Sequence, residues 1–219
     1  ESNLMKDLIE AFGRVAIASV ADAVDKVCGH RGYMECAIKP QINDKRICGP
    51  AATVLETATD EFVPPQHALD LIDEAPAGSV IVISIDGGEP DVAVWGGLMT
   101  AGAVANGHVG AVLDGGVRDL TEIRRDYAFP VYARAVSPGT TLGRFRTVAS
   151  QVPVRVGGIM VHPGDIVVGD VDGVVVVPHA QAAEVLAMAQ EIDVRELEQA
   201  KLIIAEKSLR KGLAKYGRI

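Results

Sequence analysis

Two glycine-rich turns between Asp86 and Asp119 constrain this chain more than any other feature. The first follows the apolar run 80–85 and leads through Asp86-Gly87-Gly88 to Trp95-Gly96-Gly97-Leu98-Met99. The second follows 110–114 and leads through Gly115-Gly116-Val117 to Arg118-Asp119. Each turn opens a segment with helical character. A strand–loop–helix unit repeated in this way predicts an α/β fold with a parallel strand pair and a right-handed crossover. Both loops are then expected at the carboxyl ends of neighbouring strands, where α/β sheets bind ligands.

The flanking sequence predicts further elements of one domain over 1–219. Leu4, Leu8, Ile9 and Phe12 form a helical stripe over 3–13. Residues 19–27 repeat the pattern, with Ser19 placed to cap and Asp22 three residues on. A strand at 51–55 is introduced by Gly49-Pro50, and a short helix covers 66–74. A helix at 120–127 and a strand at 130–136 follow, and 151–178 reads as hairpins of β-branched runs joined by Pro-Gly-Asp and Asp-Gly turns. The last long segment, about 179–206, is an amphipathic helix with Ala183, Leu186, Ala187, Ala189 or Gln190, Val194 and Leu197 inward. Its length exceeds that of most globular helices, so it is expected to pack on a neighbouring subunit.

Composition narrows the function classes. The chain is 48% hydrophobic and only 4% aromatic, so its core must be aliphatic and disorder is excluded. A net charge of -8 argues against nucleic acid as the partner, and no apolar run is long enough to cross a membrane. The three cysteines, Cys28, Cys36 and Cys48, are odd in number and form no CxxC pair, which predicts a reducing, cytoplasmic setting without disulfides. His67, Asp70, Asp73 and Glu74 read as an exposed helix face, and His30 and His162 as turn residues.

The chemistry concentrates in the two loops. A helix opened by Gly96-Gly97 presents backbone N–H groups without intrahelical partners, an arrangement that binds an anion. The spacing matches neither a dinucleotide fingerprint nor a P-loop, so a small carboxylate is the expected ligand. Arg118 adds a permanently charged, planar fork for a carboxylate or an enolate oxygen. Asp119 adds a hard oxygen ligand for Mg²⁺ or Mn²⁺. Together they suit a 2-oxo acid whose enolate a cation stabilises. Asp119-Leu-Thr-Glu122 also has capping-box spacing, which gives the same aspartate a local use. Asp86 and Asp114 are expected to pin loops.

The runs WGGLMTAGAVANGHVGAVLDGGVRDLTEI, FPVYARAVSPG and HPGDIVVGDVDGVVVVP, with IASVADAVDKV near the start, resemble the RraA-like family over nearly the whole chain. That family holds class II 4-hydroxy-4-methyl-2-oxoglutarate and 4-carboxy-4-hydroxy-2-oxoadipate aldolases and the regulator of RNase E activity. The resemblance implies a swivelling α/β/β/α sandwich assembled as a trimer or hexamer with sites between subunits. It implies a divalent metal and cleavage or decarboxylation of a 2-oxo acid, such as oxaloacetate, through a pyruvate enolate. By position, the Gly97, Leu98 and Met99 amides after Gly96 would hold the substrate carboxylate, Arg118 the substrate and enolate oxygen, and Asp119 the metal. The non-catalytic RNase regulators tend to lack that aspartate, so its presence favours the lyase; a regulator binding a partner RNase is the alternative. The aldolases also place an acid 21 residues before the arginine, a position held here by Gly97. Glu191 or Glu196 of a neighbouring subunit is the candidate replacement.

Overall fold

The computed structural model describes residues 2–216. It begins with α1 (Ser2–Phe12) and α2 (Ile17–Cys28), then β1 (Lys39–Ile42), β2 (Ile47–Ala58) and α3 (Gln66–Glu74). The central region runs β3 (Val80–Ile85), β4 (Glu89–Trp95), α4 (Gly97–Ala105), β5 (Gly110–Val117), α5 (Leu120–Asp126) and β6 (Val131–Val136). Strands β7 (Phe145–Ser150), β8 (Val154–Val156), β9 (Ile159–Val161), β10 (Ile166–Asp170) and β11 (Gly173–Val177) precede α6 (Ala182–Glu206) and α7 (Leu209–Ala214).

Among the described residues, nine strands make one mixed sheet in the order β1-β6-β5-β3-β2-β10-β11, with β4 on β5 and β7 on β2. The sheet curls until its ends nearly meet: Tyr33, just before β1, bridges Val175 of β11, and Lys39 Nζ donates to the Asp172 carbonyl. Period-two alternation of apolar residues feeds both faces of this curved sheet. Val80 and Val82 point into the barrel-like interior with Val112, Val167, Val174 and Val176. Ile81, Ile83 and Ile85 point outward under α3, α4 and α5 with Leu113 and Ile123. At the other end Ile166, Val168, Val175 and Val177 face α1, α2 and α6. The result is the expected α/β/β/α layering.

Several local expectations are corrected. Strand β4 was not foreseen: Asp86-Gly87-Gly88 is a tight turn, with both glycines at positive φ, that starts a new strand rather than a helix approach. Strands β1 and β7 were missed as well. Gly49-Pro50 lies inside β2 instead of before it, because a Cβ on Gly49 would stand 2.3 Å from the Gly78 carbonyl oxygen, so glycine lets the backbones pass. Ser19 does not cap α2, which starts two residues earlier; its hydroxyl donates to Asp193 Oδ1 at 2.5 Å, and Asp193 Oδ2 accepts from Ala16 N. An α6 carboxylate thus serves the start of α2. The inward face of α6 is Ala182, Val185, Ala189, Ile192 and Gln199, whereas Val194 and Leu197 are 60% exposed. The three cysteines are unpaired, and burial pushes the Cys48 thiol up to about 12, too high for a nucleophile.

Candidate functional site

Strands β4 and β5 run parallel and end side by side, with Trp95 opposite Val117. Arg118 N donates to the Trp95 carbonyl at 3.0 Å and ties the two strand ends together. Trp95 is 1% exposed and stacks on Phe129 with ring centroids 5.8 Å apart. Its Nε1 donates to Thr100 Oγ1 at 2.8 Å, and that hydroxyl donates to the Gly96 carbonyl at 2.9 Å. The indole therefore fixes the first turn of α4 on the end of β4. Gly96 is the extended residue before that helix and has no side chain of its own to cap it. The Leu98 and Met99 amides are left without intrahelical partners at the positive end of the helix dipole.

The second loop brings Arg118 and Asp119 across this helix tip. Asp119 precedes α5 with φ 64 and ψ 33, in the left-handed region. Its side chain makes no capping bond to α5, so the capping box read from Asp119 and Glu122 does not form. Instead Asp119 Oδ2 accepts from Gly97 N at 2.9 Å. Arg118 is exposed, and a Cβ on Gly96 would meet its Cγ at 3.4 Å and its Nε at 3.5 Å, so its stem lies over the same glycine. Among the described residues its guanidinium makes no hydrogen bond or ion pair.

Gly96, Gly97, Leu98, Met99, Arg118 and Asp119 all line one cleft of about 350 Å³. This is at the small end of ligand pockets. The sequence reading missed its walls: Pro64-Pro65 ahead of α3 on one side and Thr140-Thr141-Leu142 on the other. The Pro-Pro pair was a visible break, but nothing in the linear pattern tied either segment to the glycine loops. Phe62 and Leu98, 82% and 92% exposed, are large apolar groups near this cleft and in its wall.

The donor set decides what cation could be held. Among the described residues there is no group of three or more His, Cys, Asp or Glu placed for a metal. Asp119 is the sole carboxylate lining the cleft, with one oxygen engaged by Gly97. A single hard oxygen fits a hydrated Mg²⁺ or Mn²⁺ that completes its shell with water and ligand oxygens, and does not fit a zinc site. Glu191 and Glu196 lie exposed on α6, where Glu191 meets Arg195, and neither lines the cleft of its own chain.

Beneath the cleft, Asp114 pins the framework. Its Oδ1 accepts from Arg134 Nη2 at 2.5 Å and from Gly157 N at 3.0 Å, joining β5 to β6 and to the β8–β9 turn. Burial holds its carboxyl above the ordinary range, while those donors pull it back. Asp86 accepts weakly from Ala58 N at 3.4 Å. His67 rests on Thr147 Oγ1, His30 lies exposed in a turn, and His162 borders the turn closed by Asp165.

A model of the RraA-like family, described as Aldolase/RraA, matches residues 17–176. Protein DlpA of Legionella pneumophila is 34% identical over 209 residues, covering 95% of this chain and 33% of that protein. The chain thus spans about a third of that relative's length. A Halalkalibacterium halodurans protein named "Putative 4-hydroxy-4-methyl-2-oxoglutarate aldolase" is 32% identical over 189 residues, covering 84% of this chain and 83% of that one. Streptomyces coelicolor RraAS2, described as an unusual member of the RNase ES inhibitor RraA protein family, has a similar structure. It has a TM-score of 0.79 at 26% identity, with coverage of 87% and 94%.

Proposed function

The chain belongs to the RraA-like family, and from that premise we propose that it is a divalent-metal-dependent carbon–carbon lyase acting on a small 2-oxo acid through a pyruvate enolate. The observation that carries the reading is the convergence of Arg118 and Asp119 on the open amides of α4 within one cleft.

The Leu98 and Met99 amides bind the C1 carboxylate, and the α4 dipole favours its charge. Arg118, whose guanidinium has no hydrogen bond or ion pair among the described residues, donates to the C2 oxygen and binds it more strongly as it becomes an enolate. Asp119 holds the cation, which supplies Lewis-acid polarisation of the 2-oxo group when bound. Trp95 and Pro64-Pro65 form an apolar wall of the cleft, and water entering the cleft gives C3 the proton that turns the enolate into pyruvate.

Two bond cleavages feed that electron sink. In retro-aldol cleavage a base removes the C4 hydroxyl proton as the C3–C4 bond breaks toward the carbonyl. In decarboxylation of a 3-carboxylated 2-oxo acid the same bond breaks with loss of CO₂, and no base is required. With Gly97 where the family's aldolases carry an acid, the cleft of one chain covers the needs of decarboxylation and lacks a base for the retro-aldol step. A homo-oligomer, trimer or hexamer, that delivers Glu191 or Glu196 to a neighbour's cleft would supply it.

Pyruvate release from oxaloacetate and from 4-hydroxy-2-oxo acids, followed with lactate dehydrogenase in the presence of Mg²⁺, tests the reading. Arg118→Ala is expected to lower kcat/KM about 10²- to 10³-fold, as for loss of one oxyanion donor. Wild-type rates in that variant would remove Arg118 from the mechanism. The glycine at 97 and the likeness to RraAS2 favour a second reading, a non-catalytic protein that docks an RNase; absence of any pyruvate release with Mg²⁺ or Mn²⁺ selects it.

A further inference from the structure

The amides that a substrate carboxylate would use already face an anion belonging to the chain. Asp119 Oδ2 sits 2.9 Å from Gly97 N, at the start of α4. Three features show that this contact is built into the fold. Asp119 holds a left-handed backbone, φ 64, which a residue with a side chain adopts at a cost. It stands where a residue ordinarily turns its side-chain oxygen onto its own helix, yet it makes no bond to α5 and reaches across to α4 instead. Gly96 leaves the space for it, since a Cβ there would lie 2.8 Å from the same oxygen. The helix tip itself is held by the Trp95–Thr100–Gly96 hydrogen-bond chain, so the Gly97 amide is presented at a fixed place.

This arrangement sets two anions against each other. A carboxylate arriving at the Leu98 and Met99 amides meets a like charge within a few ångströms, and it cannot use the Gly97 amide until Asp119 gives it up. Like charges in a shared site disfavour one another. A cation on the other oxygen of Asp119, Oδ1, cancels that charge and weakens the hold of Oδ2 on Gly97 N.

We propose that Asp119 is a gate on the α4 amides: in the metal-free chain its carboxylate occupies the first of them, Gly97 N, and its charge weakens substrate binding at the Leu98 and Met99 amides, and a divalent cation that binds the same carboxylate relieves both effects. The proposal rests on the lyase reading of this cleft and adds to it an order of binding. Cation and 2-oxo acid bind cooperatively, and the coupling is reciprocal by thermodynamic necessity. Asp119 thus does more than hold a metal: it disfavours carboxylates at the helix tip until the cation is present.

Trp95 is the chain's single tryptophan and lines the cleft, so its fluorescence reports events at the helix tip. Pyruvate is titrated into the wild type and Asp119→Gly, with and without Mg²⁺. Glycine removes the carboxylate and accepts the left-handed backbone freely, so the variant keeps its fold. The wild type is expected to bind pyruvate on the order of tenfold more tightly with Mg²⁺ than without it. Asp119→Gly is expected to bind metal-free pyruvate on the order of tenfold more tightly than the metal-free wild type and to ignore Mg²⁺. Mn²⁺ affinity of the wild type, read by electron paramagnetic resonance, should rise with pyruvate by the same factor.

Metal-free binding by Asp119→Gly that is no tighter than wild type overturns the gate. If Mg²⁺ still strengthens pyruvate binding to the wild type in that case, the lyase reading of the cleft stands without it. A wild type that does not bind pyruvate even with Mg²⁺ overturns both.

Discussion

Substituting alanine for each of the two adjacent glycines at the start of α4 should separate function from folding. At Gly96 the backbone is extended, φ -151, so alanine brings no backbone strain. Its Cβ, however, would lie 2.8 Å from Asp119 Oδ2. That oxygen must retreat by about 0.6 Å to reach ordinary van der Waals contact. It terminates an exposed side chain, so it can move cheaply, but the Gly97 N–H bond is lost and the carboxylate is re-aimed. Exchanging an exposed charge-assisted hydrogen bond for water costs about 1 kcal/mol, which for a chain of this size lowers Tm by about 2–4 °C. If Asp119 holds the cation as proposed, a displacement of that order is expected to cost up to about 10²-fold in rate. At Gly97 the corresponding Cβ lies 3.5 Å from the same oxygen, an ordinary contact. Gly97→Ala in the first turn of a helix should leave Tm unchanged or raise it by a degree or two, since alanine gains up to about 1 kcal/mol over glycine in a helix. Its kcat/KM should stay within about threefold of wild type. The coupled pyruvate assay and thermal melting read both quantities. Equal activity in the two variants, or a Tm loss above about 8 °C in Gly96→Ala, would refute the claim that the tip of Asp119 yields and that its position matters.

Other outcomes follow from the same geometry. A Cβ at position 97 makes only ordinary contacts with Asp119, so Gly97→Asp can be accommodated and supplies the acid the proposed retro-aldol step lacks, and aldol cleavage should rise relative to decarboxylation; an unchanged ratio of the two rates removes position 97 from the proton transfer. Chelation with EDTA should abolish pyruvate release reversibly while moving Tm by less than about 2 °C, because a cation held by one carboxylate near its dissociation constant stabilises by only about 0.4 kcal/mol; a large drop on melting in EDTA would mean a structural metal. Glu56 is 1% exposed on β2, neither carboxylate oxygen is hydrogen-bonded among the described residues, and burial pushes it up to about 8 from 4.5. Between those values the folded chain keeps a proton that the unfolded chain has lost, so stability should fall as pH rises, by about 1.4 kcal/mol per unit. Glu56→Gln should flatten that slope in melts from pH 5 to 8, and a wild-type slope identical to that of the variant rules the effect out.

Much of the fold was legible because its signals are local. The runs 80–85 and 110–117 alternate between two buried faces, and an aliphatic run bounded by glycine turns reads as a buried parallel strand without further context. The helix opened by Gly96-Gly97 was likewise visible. Where the reading failed, the deciding partner was remote in sequence. Ser19 looks like a cap until Asp193 of α6 takes both its hydroxyl and the Ala16 amide. The inward face of α6 was misphased because its apolar residues cover more than one face, and only packing on α1 and α2 selects Val185, Ala189 and Ile192. Strand β4 escaped notice because a turn of two left-handed glycines looks the same whether a helix or another strand follows.

The sequence by itself determined the chemistry on offer: an arginine and an aspartate on one turn, and a glycine-opened helix on another. Residue type and short-range spacing suffice for that, since donors, acceptors and backbone freedom are properties of single residues. Which of its possible partners Asp119 takes was a tertiary decision. Its capping-box spacing points to α5, but the parallel pairing of β4 with β5 brings Gly97 within 2.9 Å, and a left-handed backbone turns the carboxylate toward it. No linear pattern encodes that choice, because it depends on how two strand ends far apart in the chain are set side by side.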